Sequence, residues 1–330
     1  MLILAKSVLG LMLGFILSLI TAVILIPFLK KIKVNQTVSR LINKRHLKKD
    51  GTPTIGGLIF IIPTIIIMIL LYLRGSIEMN FNLTILMYVF ICYGILGFFD
   101  DFLKVRYHNN KGISTLTKLF FQIIIALVFY IIYKYNGGDS SLIISSLNID
   151  IPLGWGFGIF ILLVLVGTTN AVNITDGLDG LCGGLSVMAL IAYGVIAWGT
   201  TWVTGYQELA IFSFVLIGSL LGFLVFNTHP AKIFMGDTGS LALGGAIATL
   251  AILTKHELSL IVIGGVFVVE TLSSLIQIIA IRKFNTKVFK KAPLHHHFEE
   301  LGWVETDIVK LFWVVGLLLA MLGIIYGVWI

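Results

Sequence analysis

Leu209-Ala-Ile-Phe-Ser-Phe-Val-Leu-Ile-Gly-Ser-Leu-Leu-Gly-Phe-Leu-Val-Phe226 runs from Glu208 to Asn227 without one charged side chain. A helix rises 1.5 Å per residue, so roughly 20 such residues traverse the hydrocarbon core of a bilayer. Comparable runs recur at 8–28, 55–73, 83–99, 119–133, 157–172, 181–198, 240–253, 259–281 and 311–330. Lipid offers backbone amides no hydrogen-bond partner, so each run is expected to be helical. The expected fold is an all-α integral membrane protein of about ten transmembrane helices, with residues 1–330 forming a single polytopic domain.

Composition agrees. The 330 residues are 58% hydrophobic and 12% charged, with a mean hydropathy of +1.03, far from the balance of a soluble domain. The first run is long for a signal-peptide core, and Ile26-Pro27-Phe28 with a basic cluster follows it. It is expected to be retained as a span. Cys92 and Cys182 fall in or beside different apolar runs and suggest packing residues rather than a disulfide framework.

Charge gives the sidedness. Ten spans place alternate loops on opposite faces. One set holds 29–54, 100–118, 173–180, 227–239 and 282–310, and it contains all 23 Lys and Arg except Lys6, Arg74, Lys134 and Lys255. The positive-inside rule puts these five loops in the cytoplasm and both termini outside. The short 240–253 run has a re-entrant segment as its rival, but then the basic residues from Arg282 to Lys310 would lie outside. The net charge of +7 is explained by basic inner loops beside anionic headgroups and substrates, with no call for nucleic acid. Residues 139–155, on the outer side, carry short β-rich pieces around Ser145-Ser146 and predict a small capping hairpin.

Five polar elements then stand out at span ends on the basic side. Gly97-Phe-Phe-Asp100-Asp101-Phe-Leu-Lys104 sets two adjacent carboxylates at a membrane boundary, where each is costly to desolvate. Either they end a solvated helix, or they serve a cation or a general base, since Mg²⁺ typically bridges one or two carboxylates to substrate phosphates. Asn170-Ala-Val-Asn173-Ile-Thr-Asp176-Gly177-Leu178-Asp179-Gly-Leu181 repeats an amide or carboxylate every third position through a helix end. It lacks the ligand spacing and distal glutamate of an EF-hand, and packing alone explains it poorly. Asn227-Thr-His229-Pro-Ala-Lys232-Ile-Phe234-Met-Gly-Asp237-Thr-Gly-Ser240 enters a span through small residues. Their N–H groups suit an anion, while Asp237 offers an oxygen ligand. Pro293-Leu-His295-His296-His297-Phe-Glu-Glu300 is unsuited to zinc, because consecutive histidines do not readily share one ion. It suits hydrogen bonding to a diphosphate, with a solvated loop as the alternative. Lys49-Asp-Gly-Thr-Pro-Thr-Ile-Gly-Gly57 closes the first basic loop, and its glycines serve helix packing equally well.

The order and loops of these elements resemble the phospho-N-acetylmuramoyl-pentapeptide transferase family from the first span to the last. That family belongs to the polyprenyl-phosphate N-acetylhexosamine-1-phosphate transferases. The sister branches share the aspartates but differ in the histidine segment. Ile55 stands where the family often has Met. The resemblance implies transfer of phospho-N-acetylmuramoyl-pentapeptide from its UDP-linked donor to undecaprenyl phosphate, giving lipid I and UMP. It also implies a Mg²⁺ requirement, a multi-pass place in the bacterial plasma membrane with the site facing the cytoplasm, and a homodimer. Residue by residue, it implies Asp237 as first Mg²⁺ ligand with Asp101 in support. Asp100 or Asp101 would orient or deprotonate the lipid phosphate, and a covalent phospho-aspartyl route is the rival. Lys49, Asn173, Asp176, Gly177, Leu178, Asp179, Asn227 and Phe234 would surround the nucleotide. Lys104, His295, His296 and His297 would face the diphosphate, His296 among the catalytic groups. Glu270 and Gln277, seven residues apart in one span, share a face and either line a lipid groove or pair internally. A transporter would place polar residues near the midplane in inverted repeats, which is not the pattern here. The nearer rival is a sister transferase using UDP-N-acetylglucosamine.

Overall fold

The computed structural model describes residues 2–32, 34, 51–107, 112–144, 149–199 and 205–328. Its helices in chain order are α1 (Leu2–Lys31), α2 (Leu58–Leu73), α3 (Phe81–Arg106), α4 (Thr115–Tyr135), α5 (Gly156–Thr175), α6 (Leu181–Gly199), α7 (Tyr206–Asn227), α8 (Gly236–Leu253), α9 (Ser259–Ile263), α10 (Gly265–Phe284), α11 (Leu294–Glu300) and α12 (Glu305–Val328). Among the described residues nine helices are long and apolar enough to cross a membrane, and α2 is a shorter apolar helix of 16 residues. The chain is thus an all-α, multi-pass membrane protein. Its only sheet among the described residues is the expected hairpin. Strand β1 (Ser141–Ile144) pairs antiparallel with β2 (Ile149–Pro152), Ser141 opposite Pro152 and Ile144 opposite Ile149.

The helix ends follow ordinary capping chemistry. The side chain of Asn80 accepts from the Leu83 amide at 2.9 Å at the start of α3, and that of Ser114 accepts from the Thr117 amide at 3.2 Å at the start of α4. Lys104 and Arg106 in the last turn of α3 suit the negative end of the helix dipole. The expected ninth span is broken at Gly264 into α9 and α10. The histidine segment, read from sequence as a loop, forms the short helix α11.

The α8 helix is the axis of the bundle, buried without interruption from Thr238 to Leu253, and both α3 and α5 pack on it. On the other side α1 lies against α7, which also packs on α6, and α12 covers α6. Small residues set these separations: a Cβ on Gly218 would fall 2.0 Å from the Leu11 carbonyl oxygen. Outward faces carry large apolar side chains such as Val23, Ile24, Leu163 and Leu318, each more than half exposed. In water that surface would demand a partner, and in a bilayer lipid covers it. Cys92 and Cys182 are both free thiols.

Polarity is segregated by end. The C-termini of α3 and α5 and the N-termini of α4 and α8 meet at one end. The hairpin lies at the other, where Lys255, just past α8, donates to the carbonyls of Asp139 at 2.6 Å and Ser141 at 3.1 Å.

Candidate active site

The polar end is organised around three aspartates. Asp100 and Asp101 lie in the last two turns of α3, and Asp237 lies in the first turn of α8. These helices touch at Gly97, where an added Cβ would sit 2.0 Å from the Asp237 carbonyl oxygen. That near contact of backbones brings the carboxylates together, and one oxygen from each of the three falls within 4.8 Å of the others.

The two neighbouring aspartates are used differently. Asp101 is 2% exposed and accepts from the Asp237 amide at 3.1 Å, the Thr238 amide at 2.9 Å and the Thr238 hydroxyl at 2.7 Å. It caps the orphan amides at the start of α8, where the helix dipole also favours a negative charge. Asp100 accepts from the Ile113 amide at 2.8 Å and pairs with Lys104 at 2.5 Å. Lys104 lies 3.2 Å from Asp237 and 3.8 Å from Asp101. The Lys118 ammonium closes the group with a short contact to Asp237. The Asn173 amide bridges Asp237 at 2.9 Å and Ser240 at 2.8 Å. Gly236 has a φ of +72°, a left-handed conformation favouring glycine, and a Cβ there would strike the Asp101 carboxylate.

The second part is the turn Asp176–Gly180. Burial first, then the charges of Asp237, Asp101 and Asp179, push the Asp176 carboxyl up to about 8. In the cluster itself three carboxyl groups, Asp100, Asp101 and Asp237, meet two lysines, Lys104 and Lys118. The donor set, hard carboxylate oxygens brought together from two helix ends, fits a divalent cation such as Mg²⁺. Asp179 accepts from the Ala231 amide at 3.1 Å and faces His229 Nδ1 at 3.0 Å, and its own amide donates to Glu305 at 2.8 Å. The Gly180 amide donates to Asn227 at 3.1 Å, and Asn227 donates in turn to the Ile233 carbonyl at 2.9 Å. Leu178 is buried beneath this turn.

Two more strands of chain frame the site. Phe234 is half-buried, and its backbone is zipped to the Pro53–Gly57 segment: the Phe234 amide donates to Pro53 at 2.8 Å, and Gly56 donates back at 2.9 Å. Gly57 lies so near Gly239 that a Cβ would clash at 2.3 Å, so these glycines serve close approach. His295 is buried and packed against Gly177. His296 pairs with Glu299 at 2.6 Å, and burial lowers its pKa against that partner's pull. His297 Nδ1 accepts from the Lys290 amide at 3.1 Å.

Of the site residues read from sequence, Asp100, Asp101, Lys104, Asn173 and Asp237 form one bonded group. Asp176, Gly177, Leu178 and Asp179 lie in the adjacent turn, where Gly177 packs against His295 of the histidine helix and Gly180 is bonded to Asn227 at the end of α7. Lys49 lies outside the described residues. Asn170 turns instead to Gln122 on α4, at 3.1 Å. The residues that sequence reasoning passed over are Lys118, Thr238, His229 and Glu305. For Lys118 a signal existed, since it is a cation in the first turn of a largely apolar helix.

The sequence model of glycosyl transferase family 4 matches residues 83–255, the segment from α3 to α8 that carries all three aspartates. A curated relative from Geobacillus sp. (strain WCH70), named phospho-N-acetylmuramoyl-pentapeptide-transferase, is 49% identical over 323 residues, covering 98% of each chain. Relatives of the same name from Bacillus subtilis (strain 168) and Oceanobacillus iheyensis are 47% identical, covering 97% and 94% of each chain respectively.

Proposed function

Because the chain belongs to the phospho-N-acetylmuramoyl-pentapeptide-transferases, we propose that the whole chain acts as one unit on the substrates of that family. It transfers phospho-N-acetylmuramoyl-pentapeptide from the UDP-linked donor to undecaprenyl phosphate in the membrane step of peptidoglycan synthesis. An oxygen of the lipid phosphate attacks the sugar-bearing phosphorus, the bond to the α-phosphate breaks, and UMP leaves. The observation that carries this reading is the cluster of Asp100, Asp101 and Asp237 with Lys104 and Lys118, held where an apolar bundle meets its polar end.

Phosphoryl transfer asks a protein mainly to position the reactants and offset their charge. Lys104 and Lys118 are placed to do this for the diphosphate. Asp100, bound by one amide and one lysine, is placed to orient the incoming lipid phosphate. Asp237, Asp100 and Asp101 would hold Mg²⁺, which supplies charge neutralisation to the diphosphate. Asp237 is taken as the leading ligand, with Asp101, held by three donors from the start of α8, in support. The Asp176–Asp179 turn, Asn227 and Phe234 supply the nucleotide side, together with Lys49, and His295, His296 and His297 face the diphosphate. The concentration of basic residues at this end supports a cytoplasmic site in the bacterial plasma membrane.

Purified protein given undecaprenyl phosphate, Mg²⁺ and UDP-N-acetylmuramoyl-pentapeptide releases UMP. Asp237→Asn lowers that rate by more than about 100-fold and weakens its response to added Mg²⁺. Turnover with UDP-N-acetylglucosamine in place of the muramoyl donor would overturn the substrate assignment. Full activity in Asp237→Asn would overturn the metal assignment.

A further inference from the structure

Glu270 is a carboxylate with no solvent exposure, on α10 between lipid-facing turns. Its oxygens are both committed to one residue. Oε1 accepts from the His295 backbone amide at 3.0 Å, and Oε2 faces His295 Nδ1 at 2.9 Å. A carboxylate only accepts, so Nδ1 carries the proton. The other ring nitrogen, Nε2, is buried and has no hydrogen-bond partner among the described residues. It is aimed at the Asp176–Asp179 turn: a Cβ on Gly177 would lie 2.3 Å from it. One helical face below, Gln277 anchors the connecting segment. It accepts from the amides of Val288 at 3.1 Å and Phe289 at 2.9 Å, and donates to the Phe289 carbonyl at 3.0 Å. The histidine helix and the segment leading to it are therefore each tied to α10, and the tie to the helix also selects a tautomer.

We propose that Glu270 is a positioning residue for the transfer reaction, holding His295 with the proton on Nδ1 so that Nε2 is presented to the substrate beside Gly177. This rests on the transferase reading above. A buried carboxylate bonded to an imidazole Nδ1–H fixes both ring orientation and tautomer, as it does for histidines that serve metals or nucleophiles. Internal pairing, not a lipid groove, accounts for the burial of Glu270, and the unpartnered Nε2 gives that pairing a purpose. The simpler role, capping the first amides of α11, explains only Oε1.

Glu270→Gln separates the two roles. The glutamine oxygen still caps the His295 amide at unchanged volume, but its NH₂ now faces Nδ1 and requires a lone pair there. The variant should fold with a melting temperature near the parent's. UMP release should fall by roughly 10- to 100-fold. Combined with His295→Ala, it should cost nothing beyond His295→Ala alone, because Glu270 acts through that ring. Multiplying effects in the double variant, or full turnover in Glu270→Gln, would overturn the proposal. Nitrogen-15 NMR of histidine-labelled protein, with the His295 signal identified by its loss in His295→Ala, reads the tautomer without turnover. Protonated Nδ1 in the parent and unprotonated Nδ1 in Glu270→Gln are expected, and the same state in both would overturn it. A parent with that tautomer but no UMP release would instead remove the transferase reading.

Discussion

Asp100 and Asp101 show how little adjacency in sequence says about role. Successive residues on a helix project about 100° apart, so Asp101 turns into α8 and accepts from Asp237 and Thr238, while Asp100 turns to Lys104 and Ile113. The sequence marked both as a carboxylate pair but held nothing that separates them. Glu257 is the opposite case, a group that only the fold made unusual. It is 3% exposed, and among the described residues no other residue hydrogen-bonds either of its oxygens. Burial pushes its carboxyl from an ordinary 4.5 up to about 7. Between those values the folded protein keeps the proton and the unfolded chain does not. Stability that is fully present below about pH 4.5 is therefore lost as pH rises to about 7. Glu257→Gln removes that loss. Its thermal stability in detergent should gain on the parent's by up to about 3 kcal/mol between pH 5 and pH 7.5. Parallel pH profiles for the two proteins would contradict this.

The crossing of α3 and α8 is what assembles the aspartates, and it depends on Gly97. A methyl group there meets the Asp237 carbonyl carbon at 2.4 Å and the Thr238 nitrogen at 2.6 Å, backbone atoms that cannot step aside. Gly97→Ala should destabilise the protein by more than roughly 2 kcal/mol. Melting temperature and UMP release should fall together, whereas Asp237→Asn lowers only the second. Retention of both by Gly97→Ala would mean the helices can separate without harm. Element existence was readable from apolar runs, but the ends were not. The α3 run stops at Phe99, yet the helix continues to Arg106. Hydropathy reports where lipid ends, not where backbone hydrogen bonding ends, and the Asp100–Lys104 pair spaced i, i+4 supports the extra turns. The break at Gly264 and the short helix of histidines escaped for the same reason: neither changes the apolar pattern.

The two ends of the molecule differ in charge, and that difference predicts sidedness. A cysteine replacing Asp150, exposed on β2, should react with an impermeant maleimide on intact cells. A cysteine replacing Lys232, exposed on the α7–α8 connection at the end that carries the aspartates, should react only after permeabilisation. The reverse pattern would invert the topology. Length and apolarity of the runs alone determined that this chain is a helical multi-pass protein, because lipid leaves the backbone no other solution. Its motifs marked where chemistry is to be expected, since carboxylates, amides and histidines at span ends are costly to keep there. The tertiary structure alone decided which of them meet. Asp101 and Thr238, 137 residues apart, share a hydrogen bond, and Glu270 reaches His295 across the α10–α11 connection. Those contacts arise from helix crossings set by small residues such as Gly97. A crossing angle depends on both partners' surfaces at once, which no single run of sequence contains.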